Sequence, residues 1–142
     1  MLLDKYFKDC LYFTVNRLGR VITRMAEEEF RRTGLSPTYA FLLMAVYGKE
    51  GLTQKELGEI LHLMPSTVTR FVEKLEGNGF VSTRQDGRMS RIYLTDKGKE
   101  IQQQISECWD SLHERYAKVL GREEGDRLTR HLYEVSVRLE KA

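Results

Sequence analysis

The chain has 142 residues, the size of a single domain, and its 41% hydrophobic and 31% charged content is that of an ordinary globular protein. No apolar run approaches the roughly 20 residues that span a bilayer, and the opening Met1-Leu2-Leu3-Asp4-Lys5-Tyr6 lacks the pattern of a secretory signal, so neither a membrane protein nor a secreted one is expected. A net charge of +2 is too small to argue for nucleic acid by itself, and two cysteines far apart in sequence, Cys10 and Cys108, fit a reducing, cytoplasmic setting.

From Tyr6 to Phe30, apolar residues recur at Phe7, Leu11, Val15, Leu18, Ile22, Met25 and Ala26, a three-and-four spacing that predicts one long amphipathic helix ending at Gly34. Ser36-Pro37 reads as a capping residue before proline at the first helical position, opening a strongly apolar helix to about Tyr47. Thr53 is placed to cap a helix over Gln54 to Leu61. After the break His62-Leu63-Met64, Pro65 starts a further helix with Val68, Phe71, Val72 and Leu75 on one side. Two short helices joined by a tight turn form a helix-turn-helix.

Phe80 to Arg84 and Arg91 to Leu94 read as the strands of a hairpin, joined by Gln85-Asp86-Gly87-Arg88-Met89-Ser90. Beyond Thr95-Asp96-Lys97-Gly98, a second long helix carries Ile101, Ile105, Cys108, Leu112, Tyr116 and Val119 on its stripe. A shorter helix with Leu128, Leu132, Val135 and Leu139 closes the chain, leaving Arg127, Arg130, Glu134 and Arg138 to water. The fold class that follows is mainly α with a small β-hairpin wing.

On the Pro65 helix, Ser66, Arg70 and Glu73 point away from the apolar side, flanked by Thr67, Thr69 and Lys74. Short hydroxyls near a helix start permit close approach to a major groove, and a guanidinium reaches a base edge. Most polar helix faces are merely solvated; the hairpin that follows, bearing Arg84, Arg88 and Arg91, shifts the balance, since an arginine-tipped ribbon suits a minor groove or its phosphates. Between Pro65 and Arg91 there are five cations (Arg70, Lys74, Arg84, Arg88, Arg91) and three anions (Glu73, Glu76, Asp86), so the excess is small. Asp86, two residues before Arg88, is read as the carboxylate that holds that guanidinium, with a weak exposed ion pair as the alternative.

These segments resemble the MarR family of bacterial regulators. The likeness rests on Leu52-Thr53-Gln54-Lys55-Glu56-Leu57-Gly58-Glu59-Ile60-Leu61, on the run from Ser66 to Val81, and on Asp86-Gly87-Arg88 followed by Ile92-Tyr93-Leu94-Thr95-Asp96-Lys97-Gly98. It implies one domain over residues 1–142, with a winged helix-turn-helix lobe at 35–98 and helical dimerisation regions at 1–34 and 99–142. It also implies a homodimer without enzymatic activity, acting on a pseudo-palindromic operator in duplex DNA as a repressor released by a small-molecule effector. The implied DNA-binding set is Pro65, Ser66, Thr67, Thr69, Arg70 and Lys74 on the helix and Arg84, Asp86, Arg88 and Arg91 on the wing. Met64 departs from the family pattern, in which a side-chain oxygen often precedes the helix, because methionine cannot cap.

Phe13, Tyr39, Phe41 and Tyr47, with Arg17, are candidates for an effector cleft, although aromatic residues at helical spacing more often form core. Cys10 raises a redox-sensing alternative; a buried, inert role is the simpler reading for it and for Cys108. A winged-helix module that binds protein is a third reading. His62, His113 and His131 show no metal-ligand spacing, so no metal or other cofactor is expected, and no catalytic motif is present.

Overall fold

The protein is described by a computed structural model covering residues 1–142. In chain order the elements are α1 (Leu2–Phe7), α2 (Leu11–Phe30), α3 (Pro37–Gly48), β1 (Leu52–Thr53), α4 (Gln54–Leu61), α5 (Pro65–Gly77), β2 (Val81–Asp86), β3 (Met89–Leu94), α6 (Asp96–Glu100), α7 (Gln102–Leu120) and α8 (Arg122–Glu140). The mainly helical winged-helix class is as the sequence predicts.

The long N-terminal helix is divided. Residues Lys8 to Cys10 interrupt it, with Cys10 in an extended conformation (φ −98°, ψ 120°), so that α1 and α2 replace a continuous helix from Tyr6. Asp9 and Cys10 are two weak helix formers in succession, and the break lets Phe7 rest edge-on against Phe13, with ring centroids 5.0 Å apart. Ser36 precedes Pro37 as expected but makes no capping bond. Thr33 organises this turn instead, its hydroxyl donating to the Phe30 carbonyl at 2.6 Å and accepting from the Leu35 amide at 3.0 Å. The helix after Thr95 is also split: Thr95 caps the short α6, and Ile101 separates it from α7. The last helix, predicted to be shorter, equals α7 at 19 residues.

The sheet is antiparallel in the order β1-β3-β2. Both hairpin strands run further than predicted, and Val81 to Asp86 pair in register with Leu94 to Met89, leaving Gly87-Arg88 as a two-residue turn. Gly87 has φ +63°, while Arg88 stays in the negative region. This is the pattern of a type II′ turn, whose backbone twist suits a hairpin and whose first central residue favours glycine. β1 has no counterpart in the sequence reading. Its two residues pair with Ile92 and Arg91, too short a run for alternation to register.

The core gathers Ala26 and Phe30 of α2, Ala40, Leu42, Leu43 and Val46 of α3, Leu57 of α4, Val68, Val72 and Leu75 of α5, Ile92 and Leu94 of β3, and Ile105, Cys108 and Leu112 of α7. Burial is thus concentrated in the lobe and in the parts of α2 and α7 that lean on it. No residue of α1 and none of α2 before Ala26 is buried, and α8 buries only Gly125. Val119, predicted on the α7 stripe, is 81% exposed, and Ala117 is buried in its place. α7 there runs past the core, and α8 packs back on its other side, with His113 Nε2 3.1 Å from Asp126 Oδ1.

At Gly98 the start of α6 passes directly over the lobe. A Cβ there would collide with the Phe80 carbonyl oxygen and lie 3.0 Å from Leu94 Cδ2. Gly98→Ala should therefore lower unfolding stability by about 1–3 kcal/mol, the usual range for overpacking a rigid site. Urea denaturation is the check: a midpoint equal to the wild type would show that the backbone yields there at no cost.

Candidate nucleic-acid interface

α5 owes its orientation to Val68, Val72 and Leu75, all buried against the lobe. At 100° per residue this leaves Pro65, Ser66, Thr69, Arg70, Glu73 and Lys74 exposed, with Thr67 and Phe71 half-buried. The helix begins at Pro65 and ends at Gly77, two residues beyond the predicted Leu75, and Met64 before it provides no side-chain cap. Pro65 has no amide hydrogen and the Thr67 amide donates to the Met64 carbonyl at 3.0 Å, so in the first turn only the Ser66 amide stays open toward an anion.

The preceding helix α4 opens on a reciprocal capping box. Thr53 Oγ1 accepts from the Glu56 amide at 3.1 Å, and Glu56 Oε1 accepts from the Thr53 amide at 3.2 Å. The tight turn into α5 requires His62 at φ +54°, a left-handed conformation uncommon outside glycine and asparagine. Thr69 Oγ1 lies 2.9 Å from Gln54 Oε1 and 3.0 Å from the Pro65 carbonyl. Its hydroxyl joins the two helices, so it meets DNA only by giving up or sharing that bond.

The cations differ sharply in how they are held. Arg70 and Arg88 have no carboxylate within ion-pair distance. Arg70 lies over the Phe71 ring at 5.6 Å, and Arg88 stands exposed in the hairpin turn. Lys74 lies 5.6 Å above Tyr39, and Arg84 covers Tyr93 at 4.5 Å, both ammonium and guanidinium being steered by an aromatic face.

One expectation is corrected here. Asp86 does not hold Arg88; its Oδ2 accepts from Arg91 Nε at 2.8 Å, while Arg91 Nη1 donates to the Gly51 carbonyl at 3.0 Å. In the two-residue turn, Asp86 and Arg88 are carried apart around the bend, whereas Arg91 returns alongside on β3, two register steps from Asp86's own partner Met89. The hydrogen bond to this carboxylate is the first cause of a raised Arg91 pKa. Arg91 is therefore part of the wing's frame, and Arg88 is its free tip.

The other candidates are dispersed. Tyr39 packs on Phe71 at 4.6 Å and Phe41 on Phe30 at 6.0 Å, inside the lobe, while Phe13 meets Phe7 and Tyr47 is exposed. They do not line one cleft. Cys10 is half-buried, and Cys108 is buried with Arg32 Nε donating to its sulfur at 3.0 Å. No group of three or more His, Cys, Asp or Glu side chains converges as metal ligands, and no helix is long and apolar enough to cross a membrane.

Glu56 also yields a pH prediction. The Thr53 backbone amide first, then Lys49 at 3.2 Å, hold its carboxyl below the usual carboxylate value of 4.5. A carboxyl with a lowered folded pKa stabilises the protein above the unfolded value, and that contribution fades as pH falls through the folded one. Below about pH 4.5 the wild type's melting temperature should therefore fall more steeply than that of Glu56→Gln. Parallel curves in a pH-dependent melting series would contradict the capping role.

Comparison with known proteins agrees with this geometry. A family model described as "MarR family" matches residues 35–88. The HTH-type transcriptional regulator SarZ of Staphylococcus epidermidis is 34% identical over 110 residues, covering 75% of this chain and 73% of that protein. Among solved structures, the Mycobacterium tuberculosis transcriptional regulator MosR superposes with a TM-score of 0.84 at 25% identity, covering 96% of this chain and 99% of that one. The transcriptional repressor CouR bound to a 23-mer DNA duplex superposes at 0.86 with 20% identity, covering 94% and 96%. CouR bound to p-coumaroyl-CoA superposes at 0.84 with 19% identity, covering 92% and 94%. By sequence over most of its length, and by a fold shared from end to end, the chain belongs to the MarR family of winged-helix transcriptional regulators.

Proposed function

We propose that the protein is a homodimeric, sequence-specific DNA-binding repressor, released by a small ligand and working in the cytoplasm without catalytic activity. The observation that carries this reading is the pairing of Arg70 on α5 with Arg88 at the wing tip, neither bound to a carboxylate, on two elements fixed to one lobe. α5 offers Pro65, Ser66, Thr67 and Arg70 to the major groove, with Lys74 near the backbone, and Arg88 is suited to the adjacent minor groove. Arg84, Asp86, Thr69 and Arg91 shape this surface as much as they extend it. The lobe is taken as 35–98, and the dimerisation region as 1–34 with 99–142.

The dimer is supported by apolar surface that one chain leaves uncovered. Leu2, Leu3, Tyr6, Phe7, Leu11 and Tyr12 at one end of the chain, and Val119, Leu120, Tyr133 and Leu139 at the other, are all exposed. Large apolar side chains left exposed at both ends of a chain favour an interface, and a two-fold assembly presents two α5 helices to two half-sites. The effector role draws on the ligand-bound CouR neighbour; the residues that would hold an effector stay unassigned.

The reading is tested by a gel-shift titration with duplex DNA from upstream of the protein's own coding region, across a salt series. Arg70→Ala should weaken binding by about 1–3 kcal/mol, as expected for a lost base contact, and Arg88→Ala should also lower the slope of log affinity against log salt by about one. Unchanged affinity and slope in both variants would overturn it. Sedimentation at micromolar concentration should give twice the 16.6 kDa chain mass, and a monomer would remove the dimer.

A further inference from the structure

Glu76 lies on the last turn of α5, where a negative charge is doubly out of place. It sits at the helix end that favours cations, and beside a surface that has to approach phosphates. No lysine or arginine pairs with it. What it holds is the wing. Glu76 Oε2 accepts from the Thr83 amide at 3.0 Å and from the Thr83 hydroxyl at 2.9 Å.

Thr83 is the third residue of β2 and pairs with Ile92 across the hairpin. Because β3 occupies the centre of the sheet, β2 is an outer strand, and alternate amides on it have no strand partner. The Thr83 amide is one of these, and the recognition helix takes it. On the opposite flank Arg91 ties β3 to the Gly51 carbonyl. The hairpin is thus held on both flanks, by α5 on one side and by β1 and the turn before it on the other.

We infer that Glu76 is a positioning residue for DNA reading. Its carboxylate fixes the angle between α5 and the wing, so that Arg70 and Arg88 meet adjacent grooves in one rigid-body approach. The inference rests on the DNA-binding reading above. Without the strap, β2 is held on this side only by packing and, at its base, by the Phe80 amide on the Leu75 carbonyl at 2.9 Å, so Arg88 samples a wider range of positions and ordering it on DNA consumes part of its contact energy.

The test uses the full chain carrying Glu76→Ala, Glu76→Gln, Arg88→Ala and the combination of Glu76→Ala with Arg88→Ala, titrated against the same upstream duplex. Thr83 amide exchange is followed by NMR without DNA. Glu76→Ala should weaken binding about five- to tenfold, against the direction that removal of a negative charge alone would give. Glu76→Gln keeps an acceptor for Thr83 and should restore wild-type affinity or better. In the Glu76→Ala background, Arg88→Ala should cost roughly twofold or less, well below its cost in the wild type, as coupled residues require. Thr83 exchange should accelerate in Glu76→Ala while the Val72 and Leu75 amides keep their rates. Wild-type affinity or tighter in Glu76→Ala, an undiminished Arg88→Ala penalty, or unchanged Thr83 exchange would overturn the inference. Should the wild type ignore the duplex, the DNA reading itself fails; should it bind and respond to Arg70→Ala but not to Glu76→Ala, only this inference does.

Discussion

Everything this surface can do depends on the burial of Val68, Val72 and Leu75. These three side chains, at most 1% exposed, pin α5 to the lobe at one rotation about its axis. Burying each is worth roughly 1.5–3 kcal/mol, whereas rotating the helix by one position would expose them and bring Arg70 or Glu73 toward the core. The outward set is therefore selected by apolar burial rather than by any polar contact of its own. Ser66 can remain without a hydrogen-bond partner, and Arg70 with only the Phe71 ring beneath it, because the helix does not need them for stability.

The same logic separates the lobe from the rest of the chain. Phe30, Ile105 and Cys108 are fully buried because the end of α2 and the first half of α7 form one wall of the lobe's core. Outside that wall much of the stripes is left uncovered by the same chain, as at Leu11, Val15 and Val119. Arg115 bridges Glu28 and Glu29 at 2.9 and 3.1 Å, keeping α2 and α7 side by side where apolar burial thins out. Such exposed pairs add little stability but fix the relative placement of two helices whose apolar flanks remain open.

Much of the fold was legible because its signals are local and periodic. Pro37 and Pro65 mark helix starts, Thr53 with Glu56 makes the capping box, and Gly87 sits where the hairpin turns. What escaped depends on contacts distant in sequence or on steric detail. The pairing of Leu52 with Ile92 spans 40 residues and involves a strand of two, and the Lys8 to Cys10 break runs against an intact apolar stripe. Gly98 is legible as a loop-to-helix glycine, but its reason, the Phe80 carbonyl beside it, lies 18 residues away. At the interface, residue types and faces on α5 were readable from the helical period. The partner of Asp86 was not, because sequence proximity favours Arg88 while strand register delivers Arg91.

That exchange of partners changes how the interface works. A local excess of only two positive charges cannot supply strong non-specific attraction, and four of the five cations already rest against a protein group: Arg70 with Phe71, Lys74 with Tyr39, Arg84 with Tyr93, and Arg91 with Asp86 and Gly51. Had Asp86 held Arg88, the wing would present a neutralised tip that must break an ion pair before meeting a phosphate. With Asp86 committed to Arg91, the anion is spent on stiffening the hairpin and the tip guanidinium keeps its full charge and its five donors. On the proposed reading, discrimination at such a surface comes from holding Arg70 and Arg88, neither tied to a carboxylate, at a fixed separation, since a low-charge interface gains little from being merely near DNA. Stiffness of the lobe and of its hairpin is thus the property from which sequence reading follows.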